Sequence, residues 1–152
     1  AREDSPGIVH VREATELAAV FAWKPLDGED WPCGACFADL NRDGRLDLVL
    51  ALHSMKARNK VFLNDGVKAG VPQFRDVTAD VGLGDTVPVR CPHVEVQDFD
   101  NDGWPDIYLS AAHLEGGKVS PLVFRNLGVR DGLPRFAPTW PVEKANAYYP
   151  AG

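Results

Sequence analysis

The chain repeats itself with a period of about 60 residues, and this repeat limits the possible folds more than any other feature. The segment KVFLNDGVKAGVPQFRDVT at 60–78 returns as LVFRNLGVRDGLPRFAPTW at 122–140. An acidic stretch, DLNRDGRLD at 39–47, returns as DFDNDGWPD at 98–106. A fixed period of this size predicts stacked supersecondary units.

The repeat also suggests where the units begin and end. REAT at 12–15 resembles RDVT at 75–78, which indicates the end of a preceding unit near the start of the chain. We therefore expect a leading segment at 1–22 that carries the outer strand of a preceding unit, a first repeat at 23–82, a second repeat at 83–140 and a tail at 141–152.

Each repeat has the pattern of four short strands. The apolar runs at 46–52 and 106–112 are too short for a typical helix and lack a helical stripe. The segments before the acidic stretches, the VFLN and VFRN segments, and QFRDVT read as further strands, and NDG at 64–66 predicts a turn. Four antiparallel strands per repeat predict an all-β fold made of β-propeller blades.

Two repeats are too few for a closed propeller. Propellers close with roughly four to eight blades. An open stack exposes strand edges and apolar faces, which favours association. We therefore expect a partial propeller that is completed by further copies of the chain or by other protein subunits.

The two acidic stretches have the composition of cation-binding loops. Oxygen-bearing side chains occupy positions 1, 3, 5 and 9 of both, a glycine at position 6 permits a tight bend, and the carbonyl at position 7 adds a ligand. Such oxygen-only sites suit Ca²⁺. The predicted ligands are Asp39, Asn41, Asp43, the Arg45 carbonyl and Asp47 in the first acidic loop, and Asp98, Asp100, Asp102, the Trp104 carbonyl and Asp106 in the second.

The charge of the two acidic loops supports a bound cation, and their flanking sequences exclude an EF-hand. The two loops hold seven aspartates, whereas the net charge of the whole chain is −6. An EF-hand needs a glutamate at position 12 and flanking helices, but Leu50 and Leu109 stand there in strand-like runs. The alternative is that both loops are solvated hairpins. We expect two Ca²⁺ ions that brace hairpins and do not act as sensors.

These motifs resemble a known family. DLNRDGRLDL and DFDNDGWPDI, each followed by VFLN or VFRN, look like the FG-GAP/VCBS repeats of calcium-binding propellers such as those of integrin α-chains. RDVTADVGL at 75–83 resembles the ASPIC/UnbV-associated subgroup. The resemblance implies a secreted, extracellular or periplasmic protein that serves adhesion, ligand binding or scaffolding, with one Ca²⁺ per loop.

The cysteines allow several interpretations. WPCGAC at 31–36 has the spacing of a redox motif but leads into a strand, whereas redox cysteines begin a helix. A disulfide from Cys91 to Cys33 or Cys36 is the favoured prediction. Free buried thiols and a metal site that also uses His93 are the alternatives.

The remaining features favour an interaction module over an enzyme. The net charge argues against nucleic acid as a partner, and no apolar segment is long enough to insert into a membrane. No catalytic motif is present. We expect a non-catalytic module for protein–protein interaction or cell adhesion, with a glycan as a further partner class. The alternative function is an accessory propeller of a carbohydrate-active or other secreted enzyme.

Overall fold

The computed structural model describes residues 13, 15–18, 21, 31–53, 59–83, 93–115 and 118–139. They form two four-stranded antiparallel sheets, each built from consecutive strands in simple up-and-down order. The first sheet contains β1 (Trp31–Ala38), β2 (Asp47–His53), β3 (Lys60–Lys68) and β4 (Val71–Asp76). The second contains β5 (His93–Gln97), β6 (Asp106–Glu115), β7 (Lys118–Arg130) and β8 (Leu133–Thr139). The predicted all-β fold with four strands per repeat is confirmed.

The burial of β2 explains why its sequence is an apolar run without alternation. β2 lies between β1 and β3, and Leu48, Val49, Ala51 and Leu52 are all buried. Apolar groups therefore cover both faces of this strand, as they do in the buried centre of a stack. In β3, burial ends after Leu63, and the strand continues into solvent.

The predicted turn at 64–66 is wrong. β3 continues to Lys68, and a register shift between Asn64 and Gly66 marks a β-bulge. The Asn64 side chain accepts a hydrogen bond from the amide of Gly66, whose φ of 103° only glycine adopts readily. The chain reverses later, at Ala69 and Gly70, which have φ values of 52° and 79°. Two consecutive positive φ values are typical of tight hairpins.

The core lies between the two sheets. Val49, Val61 and Leu63 of the first sheet belong to one buried cluster with Ile107 and Phe124 of the second. The segment after β4 extends this contact, because the amide of Phe136 in β8 donates to the carbonyl of Val81 over 2.8 Å.

An aromatic side chain from the leading segment packs on the opposite face of the first sheet. The ring of Phe21 lies 5.3 Å from that of Phe62 and 5.2 Å from that of Phe74. A 3₁₀ turn at Thr15–Leu17 precedes it. The first sheet is therefore covered on both faces.

Among the residues that the structure describes, no helix could span a membrane. The predicted boundaries near 22 and 140 lie outside the described residues.

Gly82 is predicted to be a sensitive point of the contact between the sheets. Its φ is 96°, and a Cβ there would lie 2.2 Å from the Phe136 carbonyl oxygen. We expect Gly82→Ala to lower the free energy of unfolding by more than the about 1–2 kcal/mol that a left-handed backbone costs an alanine. Denaturant titration measures this change.

Gly70→Ala is the matched control. Gly70 has a φ of 79°, and nothing lies within 4 Å of an added Cβ. This variant should show the backbone cost alone. Equal losses in the two variants would contradict a role of Gly82 in close packing.

Candidate metal centre

The two acidic loops fold in the same way. The Asp39 carboxylate accepts hydrogen bonds from the amides of Asp43 and Gly44 at 2.9 and 2.8 Å. In the second loop, the Asp98 carboxylate accepts from the amides of Asp102 and Gly103 at 3.1 and 2.8 Å. The sequence repeat is therefore also a repeat of hydrogen bonds, with the first aspartate at the centre of each loop.

Positive φ angles curl each loop around its first aspartate. Arg42 and Asn101 both have a φ of 59°, and the glycines at position 6, Gly44 and Gly103, have φ values of 85° and 90°. Left-handed residues reverse the chain within few residues. The predicted role of the glycine at position 6 agrees with these angles. The left-handed residue at position 4 was not predicted, since arginine gives no sign of it in the first loop, although Asn101 in the second loop is of a type that adopts this conformation.

The aspartate at position 9 ties each loop to its sheet. Asp47 accepts from the amide of Leu40 at 2.9 Å and from the amide of Asn64 at 2.8 Å. Asp106 accepts from the corresponding amides of Phe99 at 3.1 Å and Asn126 at 2.7 Å. Both aspartates are buried, with exposed fractions of 0% and 1%.

Burial disfavours the charged form of both carboxylates unless a positive charge compensates it. Burial raises the pKa of Asp47 to about 6, and the negative charges of Asp43 and Asp39 act in the same direction. The two amide bonds lower the pKa but do not cancel this rise. Burial also raises the pKa of Asp106, with the charges of Asp100 and Asp102 adding to the effect. A cation in either loop would oppose both effects, because an opposite charge nearby favours the charged form of the carboxyl.

Three carboxylates of the second loop converge. Oxygen atoms of Asp98, Asp100 and Asp106 all lie within 4.8 Å of one another. Calcium ligands at 2.3–2.6 Å from the ion lie at most about 5 Å apart across it. The spacing of these three carboxylates is therefore compatible with one Ca²⁺ between them. The fourth predicted carboxylate, Asp102, instead accepts from the amide of Trp104 at 2.9 Å.

Arginines supply the positive charge near both loops. Arg125 of β7 pairs with Asp100 and, at 2.9 Å, with Asp102. In the first loop, Arg45 pairs with Asp43 and donates to the carbonyl of Asn64 at 2.6 Å. The two arginines occupy different positions of the repeat, yet both hold carboxylates that the sequence predicts as metal ligands.

The side chains of Asn41 and Trp104 lie at the contact between the sheets. The Asn41 amide group lies 2.8 Å from the Asp43 carboxylate and 3.4 Å from the carbonyl of Gly132, in the turn between β7 and β8. The Trp104 ring lies under the Arg42 guanidinium, 4.8 Å from ring centre to charge.

Cys33 and Cys36 lie on β1 and are half-buried, and no disulfide joins them. Burial raises the pKa of the Cys33 thiol, which lies 3.5 Å from the Ala51 carbonyl oxygen. Redox cysteines have lowered pKa values. Cys91 lies outside the described residues, so its pairing with Cys33 or Cys36 stays a prediction.

Sequence reasoning missed the residues that support the loops. Leu40, Asn64, Asn126 and Arg125 all contact a predicted ligand or its backbone. The sequence does contain a sign of Asn64 and Asn126, since the asparagine of VFLN recurs in VFRN at the same place in the repeat. The role of this asparagine depends on β3 and β7 lying beside the last aspartates of the loops, which the sequence does not show.

A family model described as an FG-GAP-like repeat matches residues 39–109. The match begins at the first aspartate of the first loop, includes the whole second loop and ends in β6. No curated protein and no solved structure matches the chain. The finer resemblance to the ASPIC/UnbV-associated subgroup stays a prediction.

The raised pKa of Asp47 predicts an unusual pH dependence for the cation-free protein. A carboxyl whose pKa is higher in the folded state takes up its proton in that state first as the pH falls. The folded state is therefore increasingly favoured as the pH falls through about 6, and the gain in stability is complete below the ordinary aspartate pKa of 3.8. In the presence of a chelator, we expect the stability of the wild type relative to Asp47→Asn to rise by about 1–2 kcal/mol between neutral pH and about pH 4. Urea titrations at several pH values measure this, and a pH-independent difference would contradict it.

Proposed function

The chain carries an FG-GAP-like repeat at residues 39–109, and from this premise we propose that it is a calcium-binding, non-catalytic interaction module of extracytoplasmic proteins. Each acidic loop would hold one Ca²⁺, which would brace its blade. The observation that carries the proposal is the convergence of the Asp98, Asp100 and Asp106 carboxylates within 4.8 Å.

The first loop supports a second ion because it repeats the geometry of the second loop. The aspartates at positions 1, 5 and 9 make the same backbone bonds in both loops. The difference is at position 3, where Asn41 replaces Asp100. An amide oxygen is a normal Ca²⁺ ligand with less charge.

The position of the loops favours a brace over a sensor. Each loop joins the first two strands of its sheet, and its last aspartate accepts hydrogen bonds from a backbone amide near the start of the loop and from one in the third strand. No helix pair flanks the loops in the described chain, so an ion would stiffen a hairpin. At 100 times Kd, one such ion would stabilise the fold by about 2.7 kcal/mol.

An exposed side chain supports association with a further protein blade. Leu40 is completely buried because the second sheet covers it, whereas Phe99, at the same position of the next repeat, is 44% exposed. A sheet packed on the second blade as the second packs on the first would cover Phe99. We propose that protein–protein assembly or adhesion uses this edge, with further copies of the chain or other subunits as partners.

Calcium titration tests the proposal. We expect isothermal titration calorimetry to detect two ions per chain, with Kd values of roughly 10⁻⁴–10⁻³ M as in extracellular modules. Asp98→Ala should remove one site, because Asp98 is at the centre of the second loop.

Asp65→Ala is the control for general charge effects. Asp65 is exposed and pairs with Arg75 outside both loops, so this variant should keep both sites. A wild-type chain that binds no Ca²⁺ would overturn the calcium proposal.

Arg125 is predicted to compete with the ion. It pairs with Asp100, a member of the converging set, and with Asp102. We expect Arg125→Leu, which installs the residue that the first repeat has at this position (Leu63), to bind Ca²⁺ about two- to fivefold more tightly in the second loop. Calorimetry measures this, and weaker binding would show that Arg125 instead helps to shape the site.

A further inference from the structure

Asn126 makes hydrogen bonds with parts of both repeats. Its side-chain nitrogen donates to the carbonyl of Leu40 at 3.0 Å and to that of Pro105 at 3.1 Å. Its side-chain oxygen accepts from the amide of Gly128 at 3.0 Å. Its own backbone amide donates to Asp106 at 2.7 Å. The residue is completely buried, and its bonds to Leu40, Gly128 and Asp106 are buried with it, whereas the bond to Pro105 is partly buried.

These bonds connect the last aspartates of the two loops. Leu40 donates its amide to Asp47 and accepts the Asn126 side chain at its carbonyl. Only Leu40 and Asn126 therefore stand between the carboxylates of Asp47 and Asp106. All four residues are at most 1% exposed, which leaves little room for one loop to rearrange independently of the other.

The two residues that follow Leu40 also contact the second repeat. Next to Leu40, Asn41 contacts the Gly132 carbonyl in the turn between β7 and β8, and the Arg42 guanidinium lies over the Trp104 ring of the second loop. Three consecutive residues of the first loop thus contact the second repeat. The order of the first loop and the position of the second sheet depend on each other.

We propose that Asn126 is a positioning residue shared by both acidic loops, so that a cation in one loop raises the cation affinity of the other. This inference rests on the proposed calcium function. The first ion would order its loop and, through Leu40 and Asn126, hold the backbone that positions the other aspartate. The second ion would then bind to a site whose ordering cost is already partly met. The effect is reciprocal, since coupling between binding sites has the same size in both directions.

The equivalent asparagine of the first repeat provides a matched control. The Asn64 side chain donates to the Leu46 carbonyl at 3.1 Å and accepts from the Gly66 amide at 2.9 Å, as Asn126 does with Pro105 and Gly128. Its amide also holds the aspartate at position 9. Among the described residues, however, the Asn64 side chain has no counterpart of the bond to Leu40 in another repeat.

The experiment measures the second loop while the first is disabled. Terbium replaces calcium as the probe, because Trp104 lies within the second loop and can sensitise terbium luminescence there. Asp39→Ala removes the central aspartate of the first loop. We expect this change to weaken terbium binding at the second loop about three- to tenfold, the range that loss of one buried hydrogen-bond link supports. Trp104→Phe verifies the origin of the signal.

The same comparison is then made in the Asn126→Ser and Asn64→Ser backgrounds, with circular dichroism as a check on folding. A serine is too short to reach the Leu40 carbonyl. We expect Asp39→Ala to lose its effect on the second loop in the Asn126→Ser background and to keep it in the Asn64→Ser background.

The outcomes separate the two proposals. Absence of terbium and calcium binding in the wild type would overturn the proposed function. Binding that Asp39→Ala leaves unchanged at the second loop would overturn the coupling and leave the function standing. Coupling that survives Asn126→Ser, or that Asn64→Ser abolishes equally, would overturn the shared role of Asn126. If Asn126→Ser does not fold, the effect of Asp39→Ala in the wild type still decides whether the loops are coupled.

Discussion

Two buried aspartates, Asp47 and Asp106, are the points on which the rest of the structure depends. Each begins the second strand of its sheet and accepts amides from both sides, so that loop, second strand and third strand meet at one carboxylate. A buried carboxylate is stable only where its lone pairs are satisfied and its charge is balanced. The backbone supplies the first condition here, and a cation in the loop would supply the second.

The stacking of the blades follows from the same positions. Leu40 enters the core next to the first loop, and its carbonyl accepts the buried Asn126 side chain. The corresponding face of the second sheet has a different chemistry. Val49, Ala51 and Leu63 of the first sheet correspond to Tyr108, Ser110 and Arg125 of the second. The far side of the second blade is therefore more polar than the contact between the blades, and a partner there would meet hydroxyl groups and a guanidinium beside Phe99.

The sequence was a good guide wherever the signal was local or repeated. Four strands per repeat followed from short apolar runs, and the second loop brings three of its predicted ligands together. The predicted turn at 64–66 was wrong because the sequence NDG is typical of hairpin turns, whereas here the Asn64 side chain bonds the Gly66 amide at a bulge inside a longer strand. Cross-strand pairing decides between the two, and it depends on residues distant in the chain.

The sequence by itself determined the all-β class, the two-fold repeat and the oxygen-rich loops, because alternation, period and residue chemistry are properties of neighbours along the chain. Only the tertiary structure decided that Arg125 pairs with the second loop, that Leu40 is buried while Phe99 is exposed, and that Asn126 connects both loops. The bond from Asn126 to Leu40 spans 86 positions of the chain. Such contacts arise when two sheets pack face to face, and no local pattern encodes which side chains then meet.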